Sequence, residues 1–222
     1  MYEIDHIKRM LHPFSTWNYL KERLELANFW QMHIEDAEYQ WIIDQCKPNT
    51  LMLDIGGYKA DTALLFSLFQ NIDKVVSFEP DKKMYKKAQY NVSKSKNPHK
   101  DKISLINKAV GKDHTFDSNI MMLRSKDHIN VENITLKEAI SIAKRLSMNS
   151  KRIAIKSDCE DGEYEIFTKD CDFSDVNVIQ IEYHHGKKNI PQILKSKGFK
   201  VYSTNAIKSA TGCDMGYIYA HK

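Results

Sequence analysis

Long apolar runs are missing from this sequence. No stretch approaches the roughly 20 consecutive apolar residues that a bilayer-crossing helix needs, so no membrane-spanning helix is expected. Cysteine is sparse: Cys46, Cys159, Cys171 and Cys213 lie far apart and form no C-x-x-C pair, which removes the spacing signatures of a zinc site or a disulfide framework. Charge of one sign is in small excess, since 33 Lys plus Arg against 29 Asp plus Glu leave +4, less than a dedicated nucleic-acid binder usually carries. The opening segment Met1-Tyr2-Glu3-Ile4-Asp5-His6 lacks the basic-then-apolar order of a secretory leader, and a cytoplasmic location is expected.

What is present is an alternation of two hydrophobic periods. Before Pro48, Trp17, Leu20, Leu24 and Ala27 follow helical spacing after a capping Ser15, and Ile34, Ala37 and Trp41 mark a second helix that Lys47-Pro48-Asn49 ends. Residues 1–48 therefore read as a helical extension and 49–222 as the main domain. From Thr50 onward, short apolar runs typical of strands buried on both faces alternate with helices. The strands are expected at Leu51–Ile55, Lys74–Phe78, Ile103–Val110, Arg152–Lys156 and Val176–Glu182, with Phe199–Ser203 and Gly216–Ala220 as a closing antiparallel hairpin. Between them lie helices at Asp61–Phe69, about Asp81–Ser95, one opened by the capping-box pattern Thr135-Leu136-Lys137-Glu138, a short acidic helix from about Asp161, and one from Asn189 to Gly198. The expected class is α/β and Rossmann-like, with a mostly parallel sheet. Residues 112–133 show no clear period and are expected to be hairpin or irregular structure.

In open sheets of this kind the ligand crevice lies at the carboxyl ends of the strands. Here those ends carry Asp54-Ile55-Gly56-Gly57, Glu79-Pro80, Asn107-Lys108-Ala109, Lys156-Ser157-Asp158 and Glu182-Tyr183-His184. Gly56 and Gly57 allow a tight turn, and Glu79, 25 residues beyond Asp54, is placed to accept hydrogen bonds from ribose hydroxyls. The turn Gly56-Gly57-Tyr58-Lys59-Ala60-Asp61 lacks the third glycine of a dinucleotide site and carries acids on both sides. Such a turn repels a pyrophosphate and suits the ammonium and sulfonium charges of S-adenosylmethionine. The cofactor-facing set is then Asp54, Gly56, Gly57, Tyr58, Glu79, Pro80, Asn107, Ala109 and Asp158. Asp158 is the first choice of base for an acceptor hydroxyl, and His184 the second, since an imidazole titrates near neutrality. Asp158, Glu182 and His184 also have ligand chemistry for a divalent cation, but spacing alone does not bring them together and no metal site is assigned.

The motifs Asp54-Ile55-Gly56, Val76-Ser77-Phe78-Glu79-Pro80, Lys108-Ala109-Val110-Gly111, Ile134-Thr135-Leu136, Lys156-Ser157-Asp158-Cys159-Glu160-Asp161-Gly162-Glu163 and Ile181-Glu182-Tyr183-His184, in that order, resemble FkbM-type methyltransferases from about Leu51 to Tyr202. The family pattern after the fourth strand is similar to Lys-Ile-Asp-Val-Glu-Gly-x-Glu; Lys156, Asp158, Glu160 and Glu163 match it, while Ser157, Cys159 and Asp161 depart. The resemblance implies a class I methyltransferase fold and O-methylation of a small metabolite or glycan-like acceptor. No Asn/Asp-Pro-Pro-aromatic turn, which resemblance associates with methylation of planar amino groups, follows strand four, and no Pro-Cys nucleophile for carbon methylation appears, so oxygen is the expected acceptor atom. Two alternatives stay open: an RNA methyltransferase, for which the run Lys82-Lys83-Met84-Tyr85-Lys86-Lys87 would meet phosphates, and a non-catalytic S-adenosylmethionine-binding interaction protein.

Overall fold

The computed structural model describes residues 39–111, 132–147, 149–160, 162–208 and 212–222. The described chain begins with helix α1 (Gln40–Gln45), followed by strand β1 (Thr50–Ile55), α2 (Asp61–Ser67), β2 (Ile72–Phe78), α3 (Lys82–Lys94) and β3 (Ile103–Ile106). Then come β4 (Ala109–Gly111), β5 (Asn133–Thr135), α4 (Leu136–Leu146), β6 (Arg152–Ser157) and α5 (Glu163–Ile166). The chain closes with β7 (Val176–Tyr183), α6 (Ile190–Ser196), β8 (Lys200–Ser203), β9 (Ile207–Lys208) and β10 (Asp214–His221).

The main sheet runs β3-β2-β1-β6-β7-β10-β8. β1 lies inside it, parallel to β2 on one side and β6 on the other, and buried at every position. β6 and β7 continue the parallel set, β10 is antiparallel to both β7 and β8, and the short β9 pairs with the start of β10. The expected closing hairpin is present, with β10 inserted between β7 and β8. No helix among the described residues is long and apolar enough to cross a membrane.

Period-two alternation sends the strand side chains into two cores. Leu51, Leu53, Ile55, Ile153, Ile155, Ile179 and Ile181 pack beneath α4, α5 and α6, whereas Met52, Val75, Ala154 and Val178 meet α1, α2 and Ala88 of α3. Helix α2 buries Thr62 through Ser67 without a break, which explains why its sequence is apolar nearly all round. On α1 the fully enclosed residues are Ile42 and Ile43; Trp41, expected in the buried stripe, is half-buried with its ring 4.9 Å from that of Tyr219 on β10. Ser15, Trp17, Leu20, Leu24, Ala27, Ile34 and Ala37 lie outside the described residues, as does Asp161. The lysine-rich α3 keeps Lys82, Lys83, Lys86, Lys87 and Lys94 exposed and buries Ala88.

One strand differs from its expected span. The run Ile103–Val110 does not continue in the main sheet but stops at Ile106, and Ala109–Gly111 pairs with Asn133–Thr135 in a separate two-stranded parallel sheet. The cause is Asn107, whose Nδ2 donates to the carbonyls of Glu79 and Pro80 at 2.8 and 2.9 Å and fastens the chain across the end of β2. Periodicity cannot see this, because the residues on both sides of the break are apolar. Of the span 112–133, only Glu132 and Asn133 are described residues outside position 111 and before β5 continues.

Helix α4 starts with the expected reciprocal cap: Glu138 N donates to Thr135 Oγ1 at 3.2 Å and Thr135 N to Glu138 Oε2 at 2.8 Å. We predict that Thr135→Ala lowers stability by about 1 kcal/mol and that Thr135→Ser restores most of it. Urea denaturation of the two variants checks this, and equal midpoints would show the cap to be energetically silent.

Candidate active site

The parallel strands β1, β2, β3, β6 and β7 deliver their carboxyl ends to one edge of the sheet, so Gly56, Glu79, Asn107, Asp158 and His184 gather there. Gly56 adopts φ +80°, and a side-chain carbon built on it would sit 1.7 Å from the carbonyl oxygen of Asp158. Gly57 faces the Ser77 hydroxyl, which such a carbon would meet at 1.9 Å. Both glycines are therefore required by the closeness of the chain's own β6 and β2 ends. Tyr58 and Ala60 also take left-handed φ of 46° and 68°, so the turn coils tightly before α2 begins.

Asp54, expected among the cofactor-facing residues, is fully enclosed. Its Oδ1 accepts from Thr62 Oγ1 at 2.9 Å and its Oδ2 from Ser77 Oγ at 2.7 Å, and the Lys156 ammonium stands 3.4 Å from Oδ1. Lys156 is itself buried, donates to the Gly56 carbonyl at 3.0 Å, and lies 3.8 Å from Asp158 Oδ2. Burial pulls its pKa down, but the charges around it, Asp54, Asp158 and Glu182 among them, raise it above the ordinary lysine value. Sequence reasoning matched Lys156 to a motif without giving it a role; its signal was a lone lysine inside an otherwise apolar strand.

Glu79 is buried at the end of β2. Its Oε2 accepts from the Tyr58 amide and its Oε1 from the Asp81 amide, both at 2.7 Å. Burial is the main influence on this carboxyl and, against those two hydrogen bonds, pushes its pKa up to about 7. Pro80 follows it directly, Asn107 ties down both their carbonyls, and Ala109 is buried in β4. Asp61, the first residue of α2, has an enclosed Oδ1 without a hydrogen-bond partner among the described residues, and burial raises its pKa as well.

Across the strand edge, a second group forms around His184, which is buried. Its backbone amide donates to Glu163 Oε1 at 3.1 Å and its Nδ1 lies 3.4 Å from the same oxygen. Nε2 faces Glu160 Oε2 at 3.6 Å, Asp158 Oδ1 at 3.7 Å and Glu182 Oε1 at 3.9 Å. Burial disfavours the imidazolium, but the Glu163 hydrogen bond and the charges of Glu163, Asp158 and Glu160 outweigh it and raise the His184 pKa to about 9. Ligand atoms of Asp158, Glu182 and His184 all fall within 4.8 Å of one another, so the convergence that spacing left open is present. Glu163, which the sequence offered only as a motif match, is the residue that orients the ring.

The model of the methyltransferase FkbM domain matches residues 54–201, more than half of the chain. The chain belongs to the FkbM methyltransferase family. No curated protein sequence matches it. Among solved structures, the FkbM-family chain is similar to a precorrin-6y C5,15-methyltransferase from Geobacter metallireducens GS-15, with 12% identity, a TM-score of 0.52, and coverage of 84% of this chain and 86% of that one. A precorrin 8w decarboxylase from Methanobacterium thermoautotrophicum gives 11% and 0.51, over 86% and 91% of the two chains. A protein of the NADB-Rossmann superfamily from Streptococcus agalactiae gives 13% and 0.52, over 86% and 68%. At these identities the likeness is one of fold.

The FkbM-family enzyme is a methyltransferase that uses S-adenosylmethionine. The residues at the turn fit that group. Each Glu79 oxygen accepts one backbone N–H, and a carboxylate oxygen has capacity for a second donor such as a ribose hydroxyl. The unpartnered Asp61 Oδ1 is an acceptor that an ammonium would satisfy.

Two predictions follow from the buried charges. Lys156→Met leaves Asp54 enclosed without its cation and should cost about 3–5 kcal/mol of stability; Lys156→Met/Asp54→Asn should lose less, and urea unfolding of the pair decides it. For Glu79, hydroxyl donors favour the ionised form, so affinity for S-adenosylhomocysteine should rise as pH increases through about 7 and fall below it. Glu79→Gln should flatten that dependence, and Glu79→Ala should weaken binding by about 1–3 kcal/mol. Calorimetric titration at several pH values checks both; an unaltered profile in Glu79→Gln would place the ribose elsewhere.

Proposed function

We propose that this FkbM-family enzyme transfers a methyl group to a hydroxyl of a small metabolite or glycan-like acceptor, with Asp158 as the group that takes the acceptor's proton. One observation carries the reading: the Asp158 main chain abuts the Gly56 turn, while its carboxylate, about a third exposed, extends toward His184. Asp158 thus bridges the turn that would hold the cofactor and the acidic group beyond it, where an acceptor would lie. S-adenosylmethionine supplies an electrophilic methyl on a sulfonium centre, which needs a nucleophile in line with the breaking bond and free of water.

In this reading the Gly56-Gly57-Tyr58 turn, Glu79-Pro80, Asn107 and Ala109 surround the adenosyl moiety. Glu79 accepts from the ribose, and Asn107 keeps Glu79 and Pro80 in place through their carbonyls. Asp54 acts from beneath by holding α2 and β2 to the turn. Asp158 is favoured over His184 as the proton acceptor on access: the His184 side chain is only 6% exposed and its ring is engaged by Glu163, whereas Asp158 is open to the crevice. The absence of a planar-amine motif after β6 supports oxygen as the atom methylated.

Asp158→Asn should bind S-adenosylhomocysteine with wild-type affinity and lose about 10²- to 10⁴-fold in turnover, the range for removal of a general base. Single-turnover assays on a panel of hydroxylated acceptors measure this. Full activity in the variant would return Asp158 to a purely structural part.

A further inference from the structure

We propose that Asp158, Glu182 and His184 form a binding site for a divalent first-row metal ion at the acceptor side of the crevice. The inference deepens the methyl-transfer reading: the ion would hold and polarise the acceptor oxygen, easing transfer of its proton to the Asp158 oxygen that does not ligate the ion.

The geometry comes first. The three residues present one imidazole nitrogen and two carboxylate oxygens within 4.8 Å of one another. Nε2 of His184 stands 3.7 Å from Asp158 Oδ1 and 3.9 Å from Glu182 Oε1, beyond hydrogen-bonding length in both cases. An ion about 2.1 Å from each ligand atom keeps those atoms roughly 3–4 Å apart, and both spacings from Nε2 fall in that range. His184 is more than nine-tenths buried and its Nε2 makes no hydrogen bond among the described residues, although it is aimed into the group.

The far side of the ring supplies an independent argument. Glu163 is fully buried, and its Oε1 takes both the backbone amide and Nδ1 of His184. A carboxylate behind a histidine is the arrangement that fixes the ring of a metal ligand and raises its basicity. It makes sense when the other nitrogen has a demanding partner.

Charge balance points the same way. Asp158, Glu160, Glu163 and Glu182 all lie against one imidazole, and the nearby Lys156 ammonium is divided between Asp158 and the enclosed Asp54. Four carboxylates therefore converge on this one imidazole, beside the ammonium that faces both Asp158 and Asp54. A dication at their centre relieves repulsion among them. Mixed imidazole and carboxylate ligands suit manganese or zinc, and three protein ligands leave positions for water or an acceptor oxygen.

The test uses the full chain and Mn²⁺ as the probe. Electron paramagnetic resonance should show uptake of one Mn²⁺ per chain, and the bound ion should broaden the His184 ring resonances in the wild-type NMR spectrum. Glu182→Gln and Asp158→Asn should each weaken Mn²⁺ binding at least tenfold. No uptake at millimolar Mn²⁺, uptake without broadening of His184, or wild-type affinity in both variants would overturn the site. S-adenosylhomocysteine titration in parallel separates the two readings. Cofactor binding without Mn²⁺ uptake removes the ion alone, whereas Mn²⁺ uptake without cofactor binding supports the ion site and removes the methyl-transfer role given to it.

Discussion

The ammonium of Lys156, held inside the sheet, is the constraint on which the rest of the site depends. Enclosing a charge costs several kcal/mol unless it is paired and hydrogen-bonded, and Lys156 meets that demand by touching three separate chain segments. It donates to the Gly56 carbonyl in the turn, pairs with Asp54 at the end of β1, and faces Asp158 just past β6. A replacement satisfying only one of these would leave the others uncompensated. The ammonium thus joins the turn after β1 to the acid after β6, and brings the two halves of the crevice into one register.

That linkage explains why glycine stands at 56 and 57. Drawing the Gly56 carbonyl onto Lys156 brings the turn so close to β6 that the Asp158 carbonyl occupies the space of any side chain at 56. Asp54 draws Ser77 in the same way, and the Ser77 hydroxyl then fills the space beside Gly57. The glycines and the buried ion pair are two views of one packing problem. Ala60, enclosed in the core beyond them, takes a left-handed φ of 68° at a local cost of about 1–2 kcal/mol.

Much of this was legible before the structure. The strand runs from Leu51, Lys74, Arg152 and Val176 and the capping box at Thr135 carry strong local signals, and each appears within a few residues of its expected position. The list of strand-end residues was legible for the same reason, since a parallel sheet places all its carboxyl ends on one edge. Burial and partnership were not. Asp54 and Glu79 look alike in sequence, yet one is consumed by Thr62 and Ser77 while the other meets backbone amides at the turn. The break after Ile106 was hidden because it is made by a single Asn107 side chain reaching β2. The grouping of Asp158, Glu182 and His184 depends on the β6–β7 register, which hydropathy does not encode.

The acids of the strand ends are sorted by depth, and the sorting separates structure from chemistry. Asp54 and Glu163 have no exposure and satisfied oxygens, so each spends its charge on orienting another group, Lys156 in one case and His184 in the other. Asp158 is about a third exposed and Glu160 more, and Glu182 lies between, with one oxygen taken by the Tyr217 hydroxyl and the other toward His184. An enclosed acid holds its partner through a low-dielectric medium and has little freedom to change state, whereas an acid at the opening can exchange water for a ligand at small cost. The deep pair therefore sets the positions of a cation and an imidazole, and the shallower acids stand nearest the opening, where a ligand would enter. The same separation places Glu79 apart from both, buried by the turn yet bonded, among the described residues, through backbone amides, where an incoming hydroxyl can join without displacing a side chain.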